Sequence, residues 1–325
     1  MIHRFSAADL PIVDGKVYHL DIKPDQLAQN VILVGDPDRV PVLAKNCLVG
    51  AYVVDANHRG LRTITGKTAR GLPVSIVTSG MGTPSTEIVL NELIFLNEID
   101  LETRTLRESP LHKQLNIIRF GTSGGLQAST ELGTPIISVY AVGFDNTGLF
   151  YDSPANGNDV VRLEVLCENK INEVMAGLSS APRFLHKIYP YAAKASPEIA
   201  QALCQAATES RSPFKSGITA TNSGFFANQG RDVVGIRLTV PNIDGILSEL
   251  SFEGLKIENM EQEVSFLLYF AEALNQRKQH SGRYRAGAIC STIANRRLDT
   301  FDACSEENFL KILGIILKTF EKLSR

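Results

Sequence analysis

The sequence predicts an α/β fold in which helices largely cover a mixed or parallel β-sheet. Two observations lead to this prediction. Short β-branched runs alternate with helical patterns over the first two-thirds of the 325 residues, and several of these runs end at glycine. Hydrophobic residues make up 44% of the chain and charged residues 21%, so the chain can bury a substantial core like an ordinary globular protein.

Four short apolar runs are predicted as strands, at residues 31–34, 74–78, 116–120 and 135–142. The first three end at or next to a glycine. Glycine lets a chain turn sharply and bring backbone N–H groups close to a ligand. We therefore expect ligand contacts where these three strands end.

Three longer helices are predicted from apolar spacing and end signals. The first begins with Thr83 as its N-cap and Pro84 at its first position. The second covers residues 258–276, where apolar side chains recur at helical spacing. The third starts at Ser305, and its charges complement the helix dipole, with acidic residues first and basic residues last: Glu306, Glu307, Lys318, Lys322 and Arg325.

The chain shows no convincing linker, internal repeat or low-complexity segment. We therefore expect a single domain over residues 1–325. Residues 145–215 are richer in Asn, Pro, Ala and Ser and contain helical patches at 159–174 and 197–207. This region is interpreted as an elaboration of the same domain.

The bulk composition argues against several classes of function. The formal net charge of −2 gives no global field that favours nucleic acid or an anionic membrane. The N-terminus lacks the apolar region of a signal peptide and no long apolar run follows, so we expect a cytoplasmic protein without a membrane span. Five dispersed cysteines, Cys304 among them, have no metal-ligand spacing, so no metal is expected.

Basic residues accompany two of the strand-terminal glycines. The segment from Gly35 to Arg39 reads Gly-Asp-Pro-Asp-Arg, and Arg119 lies close to Gly121 and Thr122. Ligands of open α/β sheets gather at the carboxyl ends of strands, and guanidinium groups match phosphate oxygens in a bidentate way. These residues predict an oxyanion pocket; the alternative is that both arginines lie on the surface.

Four separated motifs, in this order, resemble the nucleoside phosphorylase superfamily and most of all its uridine phosphorylases. They are the Gly-Asp-Pro-Asp-Arg segment at 35–39, the Gly-x-Gly-x-Pro-Ser turn at 80–85, the Arg-x-Gly-Thr-x-Gly segment at 119–124, and the Met260-Glu261 pair at the start of a helix. The resemblance implies a three-layer α/β/α fold around a mixed, partly barrel-like sheet. It also implies an enzyme, a pentosyltransferase that needs no cofactor and uses inorganic phosphate as co-substrate.

The resemblance also assigns roles to individual residues. Phosphate would be held by Gly35, Arg39, Arg119 and Thr122, and the sugar by Met260 and Glu261. Arg59 would reach the phosphate, and His19 the ribose 5′-hydroxyl, from a neighbouring subunit. The expected partners are therefore a nucleoside, phosphate and further copies of the chain, in a dimer at least or a hexamer built as a trimer of dimers.

The segment around Gln229 resembles the element by which uridine phosphorylases bind uracil. Phe225 would stack on the base, while Gln229 and Arg231 offer the acceptor and donors that a uracil edge needs. The alternative is a solvated polar loop. Asn295 falls where purine-cleaving hexameric relatives carry an aspartic acid, which also suits a pyrimidine.

We therefore predict reversible phosphorolysis of uridine to uracil and ribose 1-phosphate, with Arg39, Arg119, Gln229, Arg231 and Glu261 as the catalytic residues. Three alternatives stay open. A purine nucleoside phosphorylase would read a different base, a hydrolytic nucleosidase would use water in place of phosphate, and a non-catalytic relative would only bind nucleosides.

Overall fold

A computed structural model describes residues 4–277, 282–303 and 305–324 of the chain, so Cys304 and Arg325 lie outside the described residues. The strands are β1 (Ile12–Val13), β2 (Lys16–Val17), β3 (Asn30–Val34), β4 (Val49–His58), β5 (Leu61–Lys67), β6 (Pro73–Thr78), β7 (Ile99–Asp100), β8 (Thr105–Leu106), β9 (Gln114–Gly125), β10 (Pro135–Gly143), β11 (Tyr191–Lys194), β12 (Lys215–Thr221), β13 (Ser251–Phe252), β14 (Leu255–Glu261), β15 (Arg283–Asn295) and β16 (Thr300–Phe301). The helices are α1 (Arg39–Cys47), α2 (Thr83–Glu98), α3 (Asn158–Ala176), α4 (Pro197–Glu209), α5 (Ile243–Glu249), α6 (Val264–Gln276) and α7 (Glu306–Leu323).

One mixed sheet of 12 strands forms the centre of the fold. Ten of these strands follow the order β13-β14-β12-β10-β15-β9-β3-β6-β5-β4, and the other two lie off this path, where β11 pairs with β10 and β16 pairs with β15. In addition, β14 pairs with β9. That extra pairing closes β14, β12, β10, β15 and β9 into a ring, while β3, β6, β5 and β4 extend from it as an open sheet. The predicted fold class, α/β with a mixed and partly barrel-like sheet, is therefore confirmed.

Helices cover the open part of the sheet on both faces. In β3, Val31 and Leu33 pack with α2 and α6, whereas Ile32 and Val34 pack with α1, α4 and α7. Successive side chains of a strand point to opposite faces, so a strand buried on both sides reads as a continuous apolar run. This explains why apolar and polar residues do not alternate over residues 31–34.

The region at 145–215 contributes to the same sheet. Strand β11 pairs antiparallel with β10, and α3 packs with residues of β12 and β14 in a third apolar cluster. Both predicted helical patches are present, as α3 and α4. The elaboration is thus packed on the sheet rather than looped out from it.

The prediction that the third strand ends at Gly121 is wrong, because β9 continues to Gly125. Its parallel partner β15 pairs with it along this segment, with Gly121 opposite Cys290 and a shift in register between Thr292 and Ala294. A Cβ atom at Gly121 would lie 2.9 Å from the Cys290 sulfur. The glycine therefore permits close packing between two strands, and the Arg119–Gly125 segment is a strand end instead of a loop.

The prediction of one helix over 258–276 is also wrong in its first half. Residues up to Glu261 form β14, which pairs with β12 on one side and β9 on the other, and the helix α6 begins at Val264. These strand pairings outweigh the local helical spacing of apolar residues, which is weak before residue 264. Met260 and Glu261 therefore close a strand and do not open a helix.

The other helix ends lie within a residue or two of their predicted positions. Helix α2 starts at Thr83 with Gly82 as its N-cap, so Thr83 is the first helical residue and not the cap. Helix α7 begins at Glu306, one residue after the predicted start, and Ser305 is its N-cap, because its side chain accepts a hydrogen bond from the backbone N–H of Asn308. Among the helices of the described ranges, none is long and apolar enough to cross a lipid bilayer.

Candidate active site

A cavity of about 700 Å³ opens where β3, β9, β14 and β15 end. It lies at the carboxyl edge of the parallel strands β3, β9 and β15, which is where ligands of such sheets bind. Nine predicted site residues line it: Gly35, Arg39, Arg119, Thr122, Phe225, Gln229, Arg231, Met260 and Glu261. The fold thus brings together residues that are more than two hundred positions apart in sequence.

Arg119 dominates one end of the cavity. Its side chain is buried, and Nη2 donates to the Glu263 carboxylate at 2.5 Å. Within the part of the chain that the structure describes, its Nε and Nη1 atoms have no hydrogen-bond partner. Burial lowers the pKa of Arg119, but the charges of Glu263 and then Glu261 outweigh this, so the pKa is raised and the group stays cationic. Two unsatisfied donors on a buried cation are suited to an anion.

Gly35 lies beside Arg119, and Arg39 lines the same cavity. Arg39 is the first residue of α1, and its guanidinium lies 4.7 Å from the centre of the Phe309 ring, with Nε 3.7 Å from Asp36. A Cβ atom on Gly35 would lie 3.2 Å from Nη2 of Arg119. Glycine at position 35 therefore allows the guanidinium to pass close to the backbone at the end of β3.

Gly35→Ala is expected to weaken binding of the phosphate that the sequence predicts for this end by about tenfold, because the new methyl group forces the Arg119 guanidinium to move at a cost of about 1–2 kcal/mol. The KM for phosphate measures this effect. Gly314→Ala is the matched control, since a Cβ atom there meets open space on α7. The control should keep the wild-type KM and unfold at the same or a slightly higher temperature. Equal phosphate KM values in the two variants would contradict the placement of Gly35.

Glu261 lies in the middle of the cavity and is almost fully buried. Its carboxylate accepts hydrogen bonds from the Thr221 hydroxyl at 2.5 Å and from the backbone N–H groups of Glu263 and Val264 at 2.8 and 3.1 Å. It therefore sits at the N-terminus of α6, where the helix dipole favours a negative charge. Burial and then the nearby Glu263 carboxylate raise the pKa of Glu261 to about 8, although Arg119 opposes this.

The other end of the cavity contains an amide and a guanidinium in contact. Nη1 of Arg231 donates to the Gln229 side-chain oxygen at 2.5 Å, and the guanidinium lies 4.0 Å from the centre of the Phe225 ring. Gln229 is buried in a short 3-10 turn, whereas Phe225 is half-exposed. Burial lowers the pKa of Arg231, as does the charge of Arg296. This end offers donors and an aromatic face to a flat polar ligand.

Asn295 lines the cavity, but its side chain is held by the protein itself. Its amide nitrogen donates to the carbonyl oxygens of Gln127 and Thr130 at 2.9 and 2.8 Å, and its oxygen accepts from the backbone N–H of Arg297. An aspartate at position 295 would place its carboxylate oxygens, which are acceptors, against these two carbonyl oxygens, which are acceptors as well. Asn295 therefore fixes the loop after β9, in addition to any effect it has on base preference.

His19 and Arg59 do not reach this cavity. His19 Nδ1 lies 2.7 Å from the buried carboxylate of Glu92, and Arg59 lies beside the Tyr18 hydroxyl at 3.4 Å. The Tyr18 ring touches both His19 and His58, so these side chains form one cluster at the edge of the molecule. In a single chain, neither predicted residue contacts the anion end.

Sequence reasoning missed Glu263, which contacts Arg119 directly. The helix predicted over residues 258–276 includes Glu263 and gives it no role in a site. Its contact with Arg119 depends on the strand end and helix start that the structure has in place of that helix. Other lining residues that the sequence did not indicate are Asp36, Met81, Ser123, Gln262, Asp299, Thr300 and Phe301.

Comparisons with known proteins give one consistent family. A sequence profile described as the phosphorylase superfamily matches residues 29–313. The uridine phosphorylase of Thermococcus kodakarensis is 29% identical over 308 residues, which cover 94% of this chain and 88% of that protein. A DeoD-type purine nucleoside phosphorylase of Roseobacter denitrificans is 36% identical over 123 residues, or 45% of its length. The structure of a Trypanosoma brucei nucleoside phosphorylase with uridine phosphorylase activity superposes with a TM-score of 0.83 at 30% identity, covering 97% of this chain and 100% of that chain.

Proposed function

The chain belongs to the phosphorylase superfamily, and from that membership we propose that it is a uridine phosphorylase, converting uridine and phosphate reversibly to uracil and ribose 1-phosphate. One observation carries this proposal. A single cavity holds a buried guanidinium with two unsatisfied nitrogens at one end and a contacting amide–guanidinium pair at the other. The named activities of the Thermococcus and Trypanosoma relatives support the same substrate.

The anion end supplies the nucleophile. Arg39 and Arg119 hold phosphate in line with the sugar, which turns a chance encounter into a positioned attack. A phosphate oxygen forms a bond to C1′ of the ribose as the bond from C1′ to N1 of uracil breaks. The sugar passes through an oxocarbenium-like state, whose positive charge the bound phosphate stabilises.

The base end receives the electron pair of the breaking bond. Negative charge spreads from N1 onto the uracil oxygens, and Arg231 and the Gln229 amide donate hydrogen bonds to them. The Gln229 oxygen accepts one hydrogen bond from Arg231, which leaves its second lone pair and the NH₂ group for the base. Phe225, whose ring also contacts the Arg231 guanidinium, covers one face of the uracil ring.

Glu261 and Met260 hold the sugar between the two ends. The Glu261 carboxylate has three donors from the protein, and a carboxylate has about four acceptor positions. A ribose hydroxyl takes the remaining position. Met260, at the end of β14, packs against the sugar from inside the cavity.

The active unit is a homo-oligomer in this proposal, at least a dimer. His19 and Arg59 lie in one cluster with Tyr18 at the edge of their own chain and not in its cavity. A neighbouring copy would use them to complete its own site. Glu92 orients the His19 ring through Nδ1, which directs Nε2 outward.

Release of uracil from uridine, followed by absorbance with and without inorganic phosphate, tests the proposal. We expect release from uridine that requires phosphate, and little release from inosine or adenosine in parallel. Release without phosphate would identify a hydrolytic nucleosidase. Release from inosine alone would identify a purine phosphorylase. Binding without turnover, seen as thermal stabilisation by uridine, would identify a non-catalytic relative.

A further inference from the structure

Glu263 is a buried carboxylate of the cavity that has no part in the reaction proposed above. It is the N-cap residue of α6, yet its side chain makes no capping hydrogen bond to that helix. One oxygen accepts from Nη2 of Arg119 at 2.5 Å, and the other accepts from the backbone N–H of Gly82 at 2.8 Å. Gly82 is the N-cap of α2, so Glu263 joins the anion end of the cavity to the positive end of a second helix.

These contacts fix the orientation of Arg119. One nitrogen of the guanidinium is held by Glu263, and its remaining two, Nε and Nη1, are those without a partner in the described ranges. A rigid planar fork that is anchored on one side presents its other side in a defined direction. Glu263 therefore acts on the anion through Arg119.

The same arrangement creates a charge conflict. Arg119 carries one positive charge, whereas Glu261 and Glu263 together carry two negative charges when both are ionised, and all three side chains are buried. A dianion that enters this site meets two carboxylates in a low-dielectric environment, where like charges repel strongly. One proton shared by the two carboxylates removes this conflict.

The other charged or titratable groups near this pair do not neutralise it over the neutral and mildly alkaline range. Arg39 and Asp36 line the same end and form an ion pair of opposite charge. Cys290 on β15 is buried, which raises its pKa and keeps the thiol neutral. Behind Ser265, Asp145 accepts from the Tyr191 hydroxyl, and burial raises the pKa of that tyrosine.

We propose that Glu263 is a positioning residue that fixes Arg119 and couples anion binding to the uptake of one proton by the Glu261–Glu263 pair. The inference rests on the proposed function only for the identity of the natural anion, phosphate. Consequently, the site takes an anion together with a proton, and Glu263 sets the pH range in which it does so.

The direction of the pH effect follows from the pKa of Glu261, which burial and Glu263 raise to about 8. Below this value Glu261 already holds its proton, and the anion meets a neutral cluster. Above it, the proton must be taken up when the anion binds. Affinity should therefore be constant up to about pH 8 and fall by up to tenfold for each further pH unit.

Sulfate is the probe for the test, because it stays dianionic over this range whereas phosphate titrates near neutrality. Calorimetry in two buffers of different ionisation enthalpy measures the protons taken up per sulfate bound. We expect close to one proton at about pH 9, with binding about tenfold weaker than at about pH 7. Uptake close to zero at both pH values, or an absence of sulfate binding, would overturn the proposal.

Glu263→Gln separates this mechanism from a merely structural role. The amide keeps an acceptor for Gly82 but removes one charge, so we expect sulfate affinity to vary less than about twofold between pH 7 and pH 9. Glu258→Gln is the matched control, because Glu258 is a buried carboxylate on β14 that pairs with Lys215 outside the cavity. It should keep the wild-type pH profile. A Glu263→Gln variant with the wild-type profile would overturn the proposal, even if uridine turnover is intact.

The two hypotheses can fail separately. Sulfate binding with proton uptake requires no nucleoside, so it can be present in a protein that does not release uracil. In that outcome the proposed uridine phosphorylase activity fails and the proton-coupled anion site stands. If uracil release requires phosphate but sulfate binding is independent of pH, the proposed uridine phosphorylase activity stands and the proton-coupled anion site fails.

Discussion

Arg119→Ala is expected to lower phosphate-dependent uracil release by about 10²- to 10³-fold in kcat/KM, the largest effect of any single substitution in the anion end. The variant loses a buried cation that lines the cavity and has two nitrogens without a hydrogen-bond partner among the described residues. It also leaves Glu263 without its partner at 2.5 Å. Removal of one member of a buried ion pair costs about 3–5 kcal/mol of folding free energy, so a loss of stability should accompany the loss of activity.

Two comparisons separate these effects. Arg119→Lys keeps a charge but loses the planar fork, so it should stay folded while the KM for phosphate rises. Arg277→Ala removes an arginine from another partly buried pair, with Glu98 at 2.7 Å, far from the cavity in the described structure. This control should lose stability and keep its KM for phosphate. A folded Arg119→Lys variant with wild-type phosphate kinetics would contradict the role of Arg119.

Much of the fold was predictable because its signals are local. The continuous apolar run at 31–34 marks a strand buried on both faces, and the cap at Ser305 with acidic residues after it marks the start of α7. The boundary between β14 and α6 was not predictable in this way. It depends on pairing with β12 and β9, which are distant in sequence, and no local feature of residues 258–261 reveals those partners.

The site residues divide in the same way, into those that the sequence predicts and those that depend on contacts between distant parts of the chain. Residues next to strand ends, such as Gly35 and Arg119, are placed at one cavity by the topology of a parallel sheet, so their convergence could be inferred from sequence. The place of Glu263 in the site could not be inferred from sequence, since its contacts with Arg119 and Gly82 depend on the packing of two helices on one face of the sheet. His19 and Arg59 present a different case, because a role for them requires a second copy of the chain.

Gln229 provides the sharpest test of base recognition. Gln229→Leu keeps a side chain of similar size but removes the amide, so Arg231 loses its acceptor and the base loses a donor. Charge that develops on the leaving uracil is then stabilised less than in the wild type. We expect kcat/KM for uridine to fall by about 10²- to 10³-fold, as for the loss of one donor at a developing anion. The KM for phosphate should change by less than about twofold, because the anion end is untouched.

Gln127→Leu is the matched control for this substitution. Gln127 is also buried, and its amide nitrogen donates to the carbonyl oxygens of Ser248 and Ile257 at 3.0 and 2.8 Å, outside the cavity. Loss of these bonds should cost about 1–3 kcal/mol of stability without changing the ratio of uridine to phosphate kinetics. If instead Gln229→Leu and Gln127→Leu lower uridine turnover equally, Gln229 serves only to hold its loop. The base would then be bound chiefly by Arg231 and the Phe225 ring, which lie in contact even without the amide.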